Sequence, residues 1–218
     1  MASNAPSGRP RVEELAGGGV LRLVDVPTAA ALLADIGERL DRGQGFAVAT
    51  LNLDHIVKLR REPLFRHAYA AQTHVVADGN PVVWLSHLAG RGDVRLVPGS
   101  ELITPVVALA AAKGLTIALF GSTEPVLRAA AARLEADHPG LKVAVCIAPP
   151  MGFDPESEAA DALLDQVAAS GARICLLALG APKQEVLAAR GIARHPGLGF
   201  LSIGAGLDFI AVSYTHLR

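Results

Sequence analysis

Cysteine is scarce in this chain, and so is every motif that would fix its chemistry quickly. The two cysteines, Cys146 and Cys175, each lie inside an apolar run ("KVAVCIA", "ARICLLALG"). Their spacing fits no metal motif, so they read as buried, reduced thiols. Lysine is limited to positions 58, 113, 142 and 183. With a net charge of −1 over 218 residues, no broad nucleic-acid surface is expected. The most apolar stretch, "TPVVALAAAKGLTIALFG", is broken by Lys113 and Gly114 and reads as helix, turn and strand rather than a membrane span. "MASNAPSGRPRVEELAGGG" has no apolar run of signal-peptide length. There is no Walker phosphate loop, no G-x-S-x-G elbow and no H-E-x-x-H. "GAGLDF" lacks the third glycine of a dinucleotide fingerprint and comes at the last predicted strand. No two aspartates stand two apart, so no D-x-D pair is available to hold a divalent metal against a nucleotide diphosphate. The seven histidines show no metal spacing and read as surface or packing residues.

What is present is regular. Hydrophobic residues make up 51% and charged residues 19%, a globular composition. From residue 115 onward, short apolar runs alternate with helical stretches. The predicted strands are "LTIALFG", "LKVAVCIA", "ARICLLALG" and "GFLSIGAG". The predicted helices between them are "STEPVLRAAAARLEADHPG", "PESEAADALLDQVAAS" and "APKQEVLAARGIARH". The first half is similar. Helices are predicted over 28–43, 53–60, 63–71, 80–90 and 100–114, and strands over "GFAVATLN", "THVVADG" and "DVRLVPG". Continuously apolar strands alternating with helices predict an α/β, Rossmann-like layered fold with a mostly parallel sheet and helices on both faces. The expected organisation is a loose tail over 1–19 and one domain over 20–211, softly divided near 114.

In such sheets ligands bind beyond the carboxyl ends of the strands. "VVADGNPVVW" places Asp78 and Gly79 there. Thr50 and Asn52 occupy the same level on another strand and share one of its faces. Gly121, Ser122, Gly180 to Gln184, and Gly204 to Asp208 also fall where apolar runs stop. Turn-making and helix capping would account for such residues equally well. Asp-Gly is a common turn pair, yet Asn80 and Pro81 already suit the following helix start, so Asp78 stands as either a turn residue or a functional acid. Glu185 suits a helix-start carboxylate that favours the dipole.

The ordered motifs "TLNLDHIV", "VVADGNPVVW", "RLVPGSEL", "IALFGS", "LLALGAPKQE" and "IGAGLDFIA" resemble the WecG/TagA/CpsF family of bacterial glycosyltransferases over about residues 20 to 211. The resemblance implies an inverting enzyme that works without a metal or other cofactor. It would move a sugar from a UDP-sugar donor to a polyprenyl-diphosphate-linked sugar in surface-polysaccharide or teichoic-acid synthesis. N-acetylmannosamine, its uronic acid and glucuronic acid are the donor sugars it leaves open. Asp78 would be the base that takes the acceptor proton. Thr50 and Asn52 would position sugar or acceptor. Gly121, Ser122, Gly180, Pro182 and Lys183 would face the leaving diphosphate. Gln184 would meet sugar hydroxyls or uracil, and Arg95 the diphosphate or the acceptor, with a surface ion pair as the other role for Arg95. Gly79, Gly204 and Asp208 complete the expected substrate-binding set. The family pattern also implies a cytoplasmic protein, peripheral at the inner face of the membrane through a basic, aromatic C-terminal segment. Here "VSYTHLR" (212–218) follows instead and is expected to be a non-native tail lacking that segment. Two other classes stay open: a different nucleotide-dependent α/β enzyme, such as an epimerase or dehydrogenase, and a non-catalytic binding domain.

Overall fold

Six short apolar segments, each bounded by turn residues, line up side by side in a computed structural model that describes residues 18–215. The expected loose tail over 1–19 lies almost wholly outside the described residues, as do the last three residues of "VSYTHLR". The described chain opens with a 3-10 turn, Gly18–Leu23, and α1 (Ala29–Asp41), which Thr28 caps by accepting from the Ala31 N–H. Then follow β1 (Phe46–Leu51), α2 (Leu53–Arg61), α3 (Pro63–Ala70), β2 (His74–Ala77), α4 (Asn80–Leu88) and α5 (Gly99–Ala112). The second half runs β3 (Thr116–Gly121), α6 (Glu124–Asp137), β4 (Lys142–Ile147), α7 (Glu158–Ala169), β5 (Ile174–Ala178), α8 (Lys183–Arg194), β6 (Gly199–Ser202) and α9 (Gly206–Thr215).

All strand pairs are parallel, in the order β2-β1-β6-β5-β3-β4. Side-chain alternation sends Phe46, Val48, Val76, Ile117, Leu119 and Leu176 into one cluster with residues of α1, α5 and α6. Ala49, Leu51, Val75 and Ala77 pack on the other face with α2, α3 and α4. Ala118, Phe120, Cys175, Leu177 and Phe200 pack there with α7 and α8. Both faces are therefore apolar and covered except along the edge strand β4, which is half exposed, and this is why the other strands read as continuous hydrophobic runs. Among the described residues no helix is long and apolar enough to cross a membrane.

Two local expectations are corrected. "DVRLVPG" forms no strand. Its backbone makes isolated bonds, Arg95 N–H to Pro27 O at 2.8 Å and Val97 N–H to Ala77 O at 2.8 Å. Pro98 has no N–H to continue a ladder and instead precedes α5. "GFLSIGAG" is strand only to Ser202. Gly204 turns the chain at φ 55°, and α9 begins at Gly206, so "GLDFIAVSYT" is helical.

Candidate active site at the carboxyl ends of the strands

The strand order reverses direction around β1 and β6, and the chain leaves β2, β1, β5 and β6 on the same edge. Between those exits lies an open cleft of about 250 Å3. Thr50, Asn52 and His55 enter it from β1 and α2, Asp78 from β2, and Pro98 to Ser100 from the start of α5. Gly180, Ala181 and Gln184 follow β5; Ile203 to Gly206 and Phe209 follow β6.

Asp78 is the acid of this cleft. Its N–H donates to Leu51 O at 2.8 Å, which locks the end of β2 to the end of β1. Thr50 pairs with Val76 across the two strands, so alternation turns the side chains of Thr50 and Asp78 toward α5. There the Thr50 hydroxyl and the Gly99 N–H both donate to the Asp78 carboxylate. Gly99 is the first residue of a helix with no side-chain cap, so the carboxylate also satisfies a free N–H at a helix start. A side chain at Gly99 would come within 3.3 Å of the Thr50 methyl and of Ser202 O, so the close fit suits glycine. Burial raises the Asp78 pKa above the ordinary carboxylate value and the nearby Glu101 raises it further, while the two donors lower it; the net shift is upward.

Behind the acid stands a buried aromatic brace. His55 Nδ1 lies 2.8 Å from Thr50 O and 2.7 Å from the Tyr69 hydroxyl. The Tyr69 hydroxyl donates to the same carbonyl at 2.9 Å. Burial lowers the His55 pKa to about 4, so the ring is neutral at pH 7. With Thr50 O as acceptor its proton sits on Nδ1. His55 therefore supplies no cation to a diphosphate; it fixes the backbone on which Thr50 sits. Asn52 also has a structural task, since its Oδ1 accepts from the His55 N–H at 2.9 Å and caps α2.

The opposite wall is tied together by Gln184 and Glu185. Gln184 Nε2 donates to Glu185 Oε1 at 2.9 Å, and Gln184 Oε1 accepts from the Gly204 N–H at 3.1 Å. The amide thus straps the β6 exit to the start of α8. Glu185 is fully buried and its Oε2 has no hydrogen-bond partner. Burial lifts its pKa from 4.5 to about 7. A folded pKa above the unfolded one stabilises the protein fully below about pH 4.5, and that stabilisation is lost as pH rises through 7. Glu185→Gln keeps an acceptor for Gln184 and removes the titration. Urea unfolding at pH 5 and pH 8 should show the parent losing up to about 3 kcal/mol more stability than the variant across that interval. Identical pH dependence of the two proteins would mean that Glu185 is ionised without cost.

The comparison with known proteins falls on this same framework. The sequence profile described as "Glycosyl transferase WecG/TagA/CpsF family" matches residues 19–216. The chain belongs to this family. It is also similar to a protein of Bacillus spizizenii named N-acetylglucosaminyldiphosphoundecaprenol N-acetyl-beta-D-mannosaminyltransferase, at 25% identity over 171 residues, or 78% of this chain. The chain spans 63% of that relative's length.

On the WecG/TagA/CpsF framework the expected site residues separate into two groups. Thr50, Asn52, Asp78, Gly180, Gln184 and Gly204 line the cleft. Gly79, Arg95, Gly121, Ser122, Pro182, Lys183 and Asp208 do not. Gly79 turns the chain from β2 into α4 at φ 99°. Arg95 is exposed and donates to Gly92 O and Val94 O. Ser122 Oγ donates to Asp208 Oδ1 at 3.1 Å, joining the end of β3 to α9. Pro182 and Lys183 form the start of α8. Sequence reasoning did not single out His55, Gly99 or Phe209. His55 sat in an unremarkable helical stretch. Phe209 belongs to a helix that was not anticipated. Gly99, in "VPGSEL", carried the only usable signal, a Pro-Gly pair just before a helical run. Among the described residues no three His, Cys, Asp or Glu side chains stand together as a metal-ligand set.

Proposed function

We propose that the cleft transfers an N-acetylmannosamine-type sugar from a UDP-sugar to a hydroxyl of a polyprenyl-diphosphate-linked sugar, with inversion, in the synthesis of a bacterial surface polymer. The observation that carries this reading is Asp78: one half-buried carboxylate, oriented by Thr50 and Gly99, at the mouth of the cleft. The name of the Bacillus spizizenii relative supports the choice of donor sugar and lipid-linked acceptor.

In the proposed step, Asp78 accepts the proton of the acceptor hydroxyl as that oxygen bonds to the anomeric carbon. The bond from that carbon to the UDP oxygen breaks, and the electron pair leaves with UDP. The raised pKa makes Asp78 a stronger base than an ordinary carboxylate. The turns that precede α8 and α9, Gly180–Ala181 and Gly204–Ala205, line the cleft, so the growing negative charge of the diphosphate would meet the positive ends of these helices there. A dinucleotide-dependent alternative gains nothing from the geometry, because β1 leads into the Asn52 cap of α2 rather than a glycine-rich turn.

A donor screen tests the proposal. UDP-N-acetylmannosamine, its uronic acid and UDP-glucuronic acid are each offered with a short-chain polyprenyl-diphosphate N-acetylglucosamine, and UDP release is read. One donor should give acceptor-dependent release, and that release should continue in excess EDTA. A complete, magnesium-reversible loss in EDTA would reveal a metal requirement that the proposed mechanism lacks. Tight NAD binding with no UDP binding would replace the proposal with the dehydrogenase-like class.

A further inference from the structure

Helix α4, "NPVVWLSHL", contains no Asp, Glu, Lys or Arg. Its inner face, Val82, Val83 and Ser86, is buried against the sheet. Its outer face should then be polar. Instead it presents Trp84 at 66% exposure, Leu85 at 40% and Leu88 at 88%. A helix that is apolar all round is stable when both sides are covered. Helix α2 packs its inner residue Ile56 into the same cluster as Val82 and Val83 and leaves Leu53 and Val57 exposed. Exposed Arg60 and Arg61 end α2, and Arg91 and Arg95 follow α4. The patch is thus apolar in the middle; at its margins Asp54 pairs with Lys58 and Asp93 with Arg91, and Arg60, Arg61 and Arg95 outnumber the remaining acid, Glu62, so a small positive surplus is left on a chain whose net charge is −1.

We infer that this α4–α2 face is where the protein rests on an anionic lipid bilayer. The inference depends on the proposed lipid-linked acceptor and adds the surface that meets it. Exposed leucines and an interfacial tryptophan enter the headgroup boundary, and the flanking arginines meet anionic headgroups. Position favours lipid over a protein partner. The helix starts two residues after Asp78 and runs about 12 Å to Leu88, so a bilayer seated on it lies close to the cleft mouth. An acceptor whose diphosphate sits at headgroup depth then reaches Asp78 without leaving the membrane.

Trp84 is the only tryptophan of the chain, so its emission reports on α4 without a label. Vesicles of phosphatidylcholine with about one third phosphatidylglycerol should shift Trp84 emission to shorter wavelength, and brominated lipid should quench it. Higher salt should weaken the binding. Leu88→Asp places a charge on an already exposed position. It should leave the fold and the turnover of a water-soluble short-chain acceptor unchanged and reduce vesicle partitioning at least tenfold. Vesicle binding with unchanged Trp84 emission would overturn the inference, placing the contact elsewhere. Absence of vesicle binding would overturn it too, even if short-chain acceptor is turned over and the glycosyl-transfer proposal stands. A Trp84 shift that depends on protein concentration without lipid, together with dimer in sedimentation, would reassign the face to self-association. Lipid-dependent Trp84 shifts without any acceptor-dependent UDP release would support the surface and sink the proposed reaction.

Discussion

Asp78→Asn should lower turnover about 100-fold or more, close to 3 kcal/mol of transition-state stabilisation, while UDP affinity stays within about twofold. The substitution is nearly isosteric, and its carbonyl oxygen can still accept from Thr50 and the Gly99 N–H, so the start of α5 remains satisfied. What disappears is the ability to take the acceptor proton. The parent's pH profile carries the same signature. Asp78 must be ionised to act, and its pKa is raised by burial, so turnover should fall with decreasing pH on a limb displaced above the ordinary carboxylate range. Steady-state kinetics across pH, with calorimetric titration of UDP, checks both statements. Near-normal turnover in Asp78→Asn would leave Asp78 as a turn residue that happens to cap a helix.

Gly121→Ala should cost about 3 kcal/mol or more of stability and lower the Tm by roughly 6–12 °C for a domain of this size. Gly121 holds φ 111°, and an added Cβ would lie 2.3 Å from Ala178 O and 2.5 Å from its carbonyl carbon. Those atoms belong to β5, which pairs with β3 at this level, so relief requires separating two central strands. Gly121 does not line the cleft, and the protein that remains folded should bind UDP normally. Thermal unfolding read beside UDP titration distinguishes this from a phosphate-binding role. Unchanged Tm with weakened UDP binding would restore that role to Gly121.

These two residues also mark what the sequence could and could not reveal. Continuous apolar runs alternating with capped helices were enough for the parallel α/β sheet, because burial on both faces writes hydrophobicity into nearly every position of the strands other than the half-exposed edge strand β4. Asp78 and Thr50 were visible because polar groups at the ends of such runs are conspicuous. The division of the glycines was not visible. Gly99 answers to the side chain of Thr50, Gly121 to the backbone of Ala178, and contacts between distant segments leave no local mark. Glu185 was placed correctly in the first turn of α8, but its burial depends on α3 and α8 meeting, as does the bond from Gln72 Nε2 to Glu185 O at 3.0 Å. Asn52 was read for its polarity, while its cap geometry required knowing where α2 begins. The segment 93–99 has strand-like apolar spacing, yet it is satisfied by single bonds to Pro27 and Ala77, a choice made by tertiary packing. Helix α9 was obscured by glycines that look like the end of a strand.

The most direct test of the proposed reaction is acceptor-dependent UDP release from UDP-N-acetylmannosamine, with the linkage of the product disaccharide read by NMR. Release that requires the polyprenyl-diphosphate acceptor, gives a product of inverted anomeric configuration and drops about 100-fold in Asp78→Asn is the predicted result. Product with retained configuration, or equal release by the parent and Asp78→Asn, would contradict it.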